Sequence, residues 1–211
     1  KSLSVIEKSL PNFGDSFKVT YEYARLKRQM DGAEKSLPAV RDLAGKYPEQ
    51  AAALALLAET EMDCEHEDEA RQAAQETLKL EREQPAILLL LGKLMRHSGQ
   101  LDQAIDCMSE SLQLNPEHIP AYLELGETYQ QRREPMQALH TYQQAIKVSP
   151  TEPSLYYAAA LVMRELKDYV GAEAMLRRAA ELSPQDLNIR RQLGAVIALN
   201  LVHNSQEVNS Q

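Results

Sequence analysis

Residues 119–152 read IPAYLELGETYQQRREPMQALHTYQQAIKVSPTE, and this stretch decides the fold because its pattern recurs at a period of 34 residues. Three sets of positions repeat at this period: one of prolines, one of alanines, and one that holds either alanine or glycine. Their members are Pro48, Pro116, Pro150 and Pro184; Ala70, Ala104, Ala138 and Ala172; and Ala58, Gly92, Gly126, Ala160 and Gly194. A fixed period of this length indicates one supersecondary unit that is repeated several times.

The apolar spacing within residues 119–152 predicts two helices. Tyr122 and Leu125 are three residues apart and therefore share one face of the first helix. Pro135 suits the first turn of the second helix, where no N–H group is needed. Pro150 follows the end of that helix, because a helix cannot continue through it. Two short helices joined by a tight turn form a helical hairpin.

Small residues are expected where the two helices of a hairpin cross. Gly126 lies at this position in the first helix and Ala138 in the second, and a side chain larger than theirs would hold the axes apart. We expect a larger residue at such a crossing to cost roughly 1–3 kcal/mol through overpacking.

This pattern resembles the tetratricopeptide repeat, a helix-turn-helix unit of 34 residues. The resemblance covers five units, 17–50, 51–84, 85–118, 119–152 and 153–186. It implies an all-α fold, an α-solenoid of stacked antiparallel helix-turn-helix repeats in a right-handed superhelix. Two departures mark the weaker first and second units: Ser36 replaces the usual alanine, and Glu61 stands where an aromatic residue usually packs.

The ends of the chain continue the period. We expect residues 1–16 to hold the second helix of a preceding partial repeat, residues 187–204 to form a C-terminal capping helix, and residues 205–211 to be a disordered tail. The apolar residues of the capping helix cannot all face the preceding repeat. Either residues beyond the array cover them, or residues 187–203 pack on another copy, which makes a homodimer through this segment one hypothesis.

Composition and charge limit the classes of partner. The net charge of −8 argues against nucleic acid, because phosphate binding needs a basic face. No apolar run approaches the length of a membrane span. Cys64 and Cys107 fit neither a zinc site nor a disulfide framework, so we expect reduced thiols in a cytoplasmic protein. The chain begins at Lys1 without methionine and is interpreted as an excised piece, so a periplasmic location remains open.

The sequence contains no motif typical of catalysis. Phosphate-binding loops, dinucleotide-binding glycine patterns, zinc-protease motifs and nucleophile elbows are all missing from it. The one cluster of metal-ligand types is Cys64–Glu69, which falls at a predicted turn where consecutive side chains point in different directions. We therefore expect no enzyme activity, no cofactor and no metal.

In each repeat, one face of the first helix is not used in packing, and this face is the candidate binding surface. The resemblance implies that this concave groove holds an extended or helical peptide. The candidate groove residues are Tyr21, Arg25, Arg28, Glu59, Leu89, Lys93, Arg96, Glu127, Tyr157, Leu161 and Arg164. Their charge alternates in sign from repeat to repeat, and arginine binds carboxylates in bidentate fashion. An acidic peptide is one expected ligand; the alternative is that these charges pair with one another across neighbouring helices.

Three functional hypotheses follow from these observations. The first is a non-enzymatic protein-interaction scaffold that binds a peptide or partner segment in the concave groove. The second is a recruitment or regulatory module of a larger enzyme or of a secretion or assembly component. The third is an array that associates with itself through its last helix.

Overall fold

The computed structural model describes residues 16–208, and this part of the chain contains eleven helices and no strand. The helices are α1 (Phe17–Asp31), α2 (Ala33–Lys46), α3 (Ala51–Asp63), α4 (Glu67–Leu80), α5 (Pro85–His97), α6 (Leu101–Leu114), α7 (Ile119–Gln131), α8 (Pro135–Val148), α9 (Pro153–Glu165), α10 (Tyr169–Leu182) and α11 (Leu187–Val208). The predicted all-α helical-repeat solenoid is confirmed. We call the odd-numbered helices α1 to α9 the A helices and the even-numbered helices α2 to α10 the B helices.

The helices fall into two compact units, an amino-terminal unit that ends at Ser98 and a carboxy-terminal unit that begins at Gly99. Within each unit, every helix packs against the helix that follows it in the chain. This is the contact pattern of stacked hairpins, in which each repeat buries its apolar faces against its neighbours.

The core of the amino-terminal unit is built from small and aliphatic side chains. Ala24, Val40, Leu43 and Ala53 are completely buried and pack in one cluster with Leu56. Alanine at the helix crossings lets the backbones approach closely, and the larger side chains fill the space beside them.

The carboxy-terminal unit shows why a repeat column requires glycine. A Cβ atom added to Gly126 in α7 would collide with the ring of Tyr142 in α8. That ring is completely buried, and its hydroxyl accepts a hydrogen bond of 2.9 Å from Gln130 Nε2. The close approach predicted at Gly126 is therefore made by an aromatic side chain of the partner helix.

The turns between A and B helices also follow the period. Glu65, Gly99, Arg133 and Lys167 all have positive φ angles, between 62° and 77°, and are spaced 34 residues apart. The backbone N–H of the residue that follows donates a hydrogen bond to a carbonyl near the end of the A helix. In the second repeat, for example, His66 donates to the carbonyl of Glu61 at 2.9 Å. This arrangement is the left-handed helix ending that glycine favours, yet three of the four residues are not glycine.

The two ends differ in part from the predictions. Helix α11 continues to Val208, so residues 205–208, which we expected in a disordered tail, are helical in the structure. The expected helix within residues 1–16 lies outside the described residues except for Ser16. A Cβ atom at Gly194 would meet nothing within 4 Å, unlike one at Gly126 in the same column.

Ser36 stands in an alanine column without leaving a polar group unsatisfied. It is completely buried in α2, and its hydroxyl donates a hydrogen bond of 2.9 Å to the carbonyl of Ala33. A buried hydroxyl that bonds to its own helix avoids the cost of an unpaired donor, so serine fits this position.

Candidate functional site

Four of the predicted groove residues meet in one cleft of the amino-terminal unit. This cleft has a volume of about 220 Å³ and lies between the A helices α1, α3 and α5. We call it the A-face cleft. Its lining residues are Arg28, Glu59, Met62, Asp63, Ala86, Leu89, Leu90 and Lys93.

Arg28 forms ion pairs across this cleft with the next A helix. Its two terminal nitrogens lie 2.8 Å from Glu59 Oε2 and 2.7 Å from Asp63 Oδ2. Burial by itself lowers the pKa of Arg28, but the hydrogen bonds to Asp63 and Glu59 outweigh it, so the pKa is raised. The guanidinium is thus committed to two carboxylates of the chain itself, which is the alternative that the sequence left open.

The apolar side of the A-face cleft comes from α5. Leu89 keeps only 8% of its surface exposed and Leu90 only 9%, while Lys93 is partly exposed one turn further along the helix. Leu89 was predicted as an apolar anchor for a ligand, and the structure makes it part of the floor of the cleft.

The other predicted groove residues of this unit do not line the cleft. Tyr21 packs its ring against Phe17, with 5.6 Å between ring centroids. Arg25 pairs with Glu22 of the same helix at 2.7 Å, an exposed i, i+3 contact. Arg96 is partly buried near the end of α5.

In the carboxy-terminal unit the predicted residues are more dispersed. A cleft of about 220 Å³ in this unit lies between α9 and the start of α11, and Tyr157 lines it together with Ile189. Arg164 donates a hydrogen bond of 2.6 Å to Gln192 Oε1 in α11, Leu161 is partly exposed, and Glu127 is exposed on α7. These residues do not meet in one described cleft.

The sequence did not predict the buried carboxylate of Glu61 as part of a polar network. Only 2% of its side chain is exposed. Its Oε1 accepts a hydrogen bond of 2.7 Å from Arg41 Nε, and its Oε2 accepts one of 3.0 Å from Arg41 Nη2 and lies 2.8 Å from His66 Nδ1. The signal was the departure from the aromatic column, which indicated a misfit but not its partners.

The partners of Glu61 keep it charged. Burial by itself raises its pKa, but the hydrogen bonds from Arg41 and His66 act in the opposite direction and prevail, so the pKa is lowered. The network thus holds an ionised carboxylate in the interior of a helical hairpin.

A second cleft in the amino-terminal unit borders this network. It has a volume of about 420 Å³ and lies between α2, α3 and α4. We call it the B-face cleft. Its lining residues are Arg41, Leu54, Leu57, Glu61, Glu69, Gln72, Ala73 and Glu76.

Residues 16–208 contain neither a cluster of side chains suited to a metal ion nor a helix that could span a membrane. Among them, no group of three or more His, Cys, Asp or Glu side chains is arranged to hold a metal ion. No helix in this range has the length and hydropathy needed to cross a membrane.

Comparison with known families decides the assignment. Tetratricopeptide repeat models match residues 85–118 and residues 123–186. Residues 85–118 and 123–186 are therefore tetratricopeptide repeats (TPRs), and the predicted resemblance is confirmed. TPR proteins are generally non-enzymatic scaffolds for protein interaction, and in this general sense the predicted function is supported. The comparison with curated proteins found no match.

Solved TPR structures share the fold of the chain. MamA is 20% identical, with a TM-score of 0.71 over 77% of this chain and 95% of that one. YrrB, described as a TPR protein with an unusual peptide-binding site, is 16% identical, with a TM-score of 0.72 over 89% and 96%. PilF of Pseudomonas aeruginosa is 20% identical, with a TM-score of 0.74 over 90% and 86%. At these identities the likeness concerns the fold alone.

Proposed function

We propose that this TPR chain is a non-enzymatic scaffold that binds a peptide or partner segment on its A helices, with the A-face cleft as the principal contact. The observation that carries the proposal is the convergence of Arg28, Glu59, Leu89 and Lys93 from three A helices on one cleft. A concave site with an apolar floor and a few polar groups is the usual form of a binding site.

The contacts around Arg28 refine the chemistry of the ligand. Glu59 and Asp63 already pair with its guanidinium, so an acidic ligand would have to compete with them for Arg28, or with the existing contacts of Lys93, which also lines the cleft. An apolar ligand side chain would lie on Leu89, Leu90 and Met62. We therefore propose a ligand with an apolar anchor and an adjacent carboxylate that approaches Lys93.

The fold and the thiols are consistent with this proposal. YrrB shares the fold and is described as a TPR protein with an unusual peptide-binding site, which supports the proposal. Cys64 and Cys107 form no disulfide with each other, and we propose a reducing compartment such as the cytoplasm for this protein. The scaffold could serve alone or as a recruitment module within a larger enzyme or assembly component.

Peptide selection on the whole chain tests the proposal. Short random peptides displayed on phage would be selected on the wild-type chain, and the affinity of each selected synthetic peptide would be measured by fluorescence polarisation. For one class of peptides, Lys93→Glu is expected to weaken binding about tenfold, because charge reversal at a contact replaces attraction with repulsion.

The matched control is Lys35→Glu, which makes the same charge change at an exposed position of α2 away from the cleft. Thermal unfolding of both variants would establish that they fold. If the library yields no binder, or if every selected peptide binds Lys93→Glu and Lys35→Glu equally well, the A-face cleft is not a peptide site.

A second candidate function, self-association, rests on the exposed apolar surface of α11. Leu187, Leu199, Leu201 and Val202 expose between 41% and 76% of their surfaces in this helix. Leu199, Leu201 and Val202 lie within one turn of this helix, and exposed apolar side chains that lie close together are typical of an interface. We propose that two copies pair through this helix.

Sedimentation velocity measures this association directly. The wild-type chain is expected to sediment as a dimer whose population falls on dilution, and Leu201→Glu with Val202→Glu is expected to be a monomer. Leu114→Glu, at an exposed leucine of α6, is the control and should leave the dimer intact. A wild-type chain that is monomeric at high concentration would rule out the pairing.

A further inference from the structure

Helix α3 presents different faces to the two clefts of the amino-terminal unit. Leu54, Leu57 and Glu61 are spaced by three and four residues and share the face that lines the B-face cleft. Glu59, Met62 and Asp63 lie on the other side of the helix and line the A-face cleft. The B-face cleft is therefore separate from the proposed peptide site.

Glu61, which lines the B-face cleft, and Ala74 are two positions where this repeat departs from the three repeats that follow it. The positions equivalent to Glu61 hold Met95, Tyr129 and Met163, and those equivalent to Ala74 hold Met108, Tyr142 and Leu176. In residues 51–84, one of the two bulky side chains is replaced by alanine. The other is replaced by a carboxylate that is bound to Arg41 and His66.

The groups around the opening are of two kinds. Leu54, Leu57 and Ala73 provide apolar surface, whereas Glu69 and Glu76 are acidic and accessible at the rim. Glu61 has both oxygens engaged by its own partners, so its role is to shape the cleft and not to bind a ligand directly.

The charge of this repeat favours a basic partner. Residues 51–84 contain ten acidic and three basic residues, which gives a net charge of −7 out of −8 for the whole chain. Complementary charge speeds association and selects among partners, while the apolar contact supplies affinity.

We propose that the B-face cleft binds an aliphatic side chain of a partner peptide that is flanked by lysine or arginine. The aliphatic group lies on Leu54, Leu57 and Ala73. The flanking cations pair with Glu69 and Glu76, and at Glu76 they replace the exposed ion pair with Lys79. This site is independent of the A-face cleft, and either one can fail without the other.

The same selected peptides test this site when they are measured against different variants. A second class, with Leu, Ile or Val next to Lys or Arg, is expected to bind the wild-type chain. Its affinity should fall about tenfold or more in the double variant Glu69→Lys, Glu76→Lys. Binding should also weaken as salt is raised, because the charged contacts are exposed.

The control is the double variant Glu81→Lys, Glu83→Lys, which makes the same charge change at exposed positions of the same repeat outside the cleft. A second variant, Gln72→Trp, fills the opening from its exposed rim without changing charge and should abolish binding of this class. Peptides of this class that bind all three variants equally would overturn the proposal, as would a library that yields none.

The two sites can be told apart in one set of measurements. Loss of affinity in Lys93→Glu alone supports the A-face cleft, and loss in Glu69→Lys, Glu76→Lys alone supports the B-face cleft. A peptide class that responds to both sets would instead indicate one general electrostatic effect, and this result would overturn the B-face site.

Discussion

The hairpins of residues 51–84 and 119–152 solve the same packing problem with different side chains. In residues 119–152, Gly126 makes room for the buried ring of Tyr142. In residues 51–84, the equivalent positions are Ala58 and Ala74, both completely buried. The hairpin of residues 119–152 fills its interior with an aromatic ring, whereas that of residues 51–84 pairs two small residues and has the B-face cleft at its side.

The comparison shows that the period fixes the backbone and not the side-chain volume. The two positions at the helix crossing hold Gly and Tyr in one repeat, Ala and Ala in another, and Ala160 and Leu176 in a third. These pairs are all tolerated because only the summed volume of the two side chains must fit the crossing. The B-face cleft lies beside the repeat that has the small pair. Variation between repeats is therefore a guide to binding sites in an array whose helices are otherwise alike.

The largest effect is expected from removing the ring that fills the second hairpin. Tyr142→Ala should lower the free energy of unfolding by about 3–5 kcal/mol, because the buried ring leaves a cavity. Urea unfolding followed by circular dichroism measures the loss. Tyr129→Ala, at a half-buried tyrosine of the same hairpin, is the control and should cost clearly less. Equal losses would contradict the central role of Tyr142.

A swap of side chains tests the rule of summed volumes. Gly126→Ala alone should cost about 1–3 kcal/mol, since its Cβ collides with the ring of Tyr142. In the double variant Gly126→Ala, Tyr142→Leu, which copies Ala160 and Leu176, the cost should be well below the sum of the two single changes. Additive costs in this double-mutant cycle would show that the two positions are not coupled.

Acid unfolding examines the polar network of the first hairpin. Because the pKa of Glu61 is lowered from 4.5 in the folded chain, its stabilising contribution is complete above that pH and is lost as the pH falls through the folded pKa. Glu61→Gln should therefore be less stable at neutral pH and lose less further stability on acidification. The urea midpoint between neutral pH and pH of about 3 measures this difference.

The control for Glu61 is Glu117→Gln, an exposed carboxylate of the other unit. It should follow the acid profile of the wild-type chain. Parallel profiles for Glu61→Gln and the wild-type chain would mean that Glu61 does not contribute to the acid response.

The smallest effect is expected at the turns. Lys167→Gly should raise stability by about 0.5–1 kcal/mol, because glycine adopts the positive φ angle without steric cost, and Gly99→Ala should lower it by about 1 kcal/mol. Thermal unfolding would measure both. Lys147→Gly, inside α8, is the control for glycine substitution and should be destabilising.

The fold could be predicted from the sequence because the period repeats the same local rules. Helix α8 spans Pro135–Val148, the segment predicted from its apolar spacing, and Pro135 lies in its first turn. Gly126 was predicted at a close approach, and the structure supplies the atoms that require it. The last helix was predicted to end at residue 204, whereas α11 continues to Val208. The prediction was too short because no proline or glycine marks the end of this helix in the sequence.

The candidate site could be predicted only in part. The sequence predicted Arg28, Glu59, Leu89 and Lys93 on the groove face of the A helices, and these four residues line one cleft. It could not show that Arg28 pairs with Glu59 and Asp63, since contacts between repeats depend on side-chain conformations that periodicity does not specify. The partners of Glu61 were missed for the same reason, because Arg41 lies 20 residues away in another repeat.

The turn residues are suitable positions for measuring the distance between successive hairpins by spectroscopy. Arg133 and Lys167 have nearly the same φ angle, are both exposed and lie one repeat apart within the carboxy-terminal unit. Spin labels attached to cysteines at these positions, with Cys64 and Cys107 replaced by serine, would report the spacing of successive hairpins in solution. Such a pair would register whether an occupied array stretches or contracts along its axis.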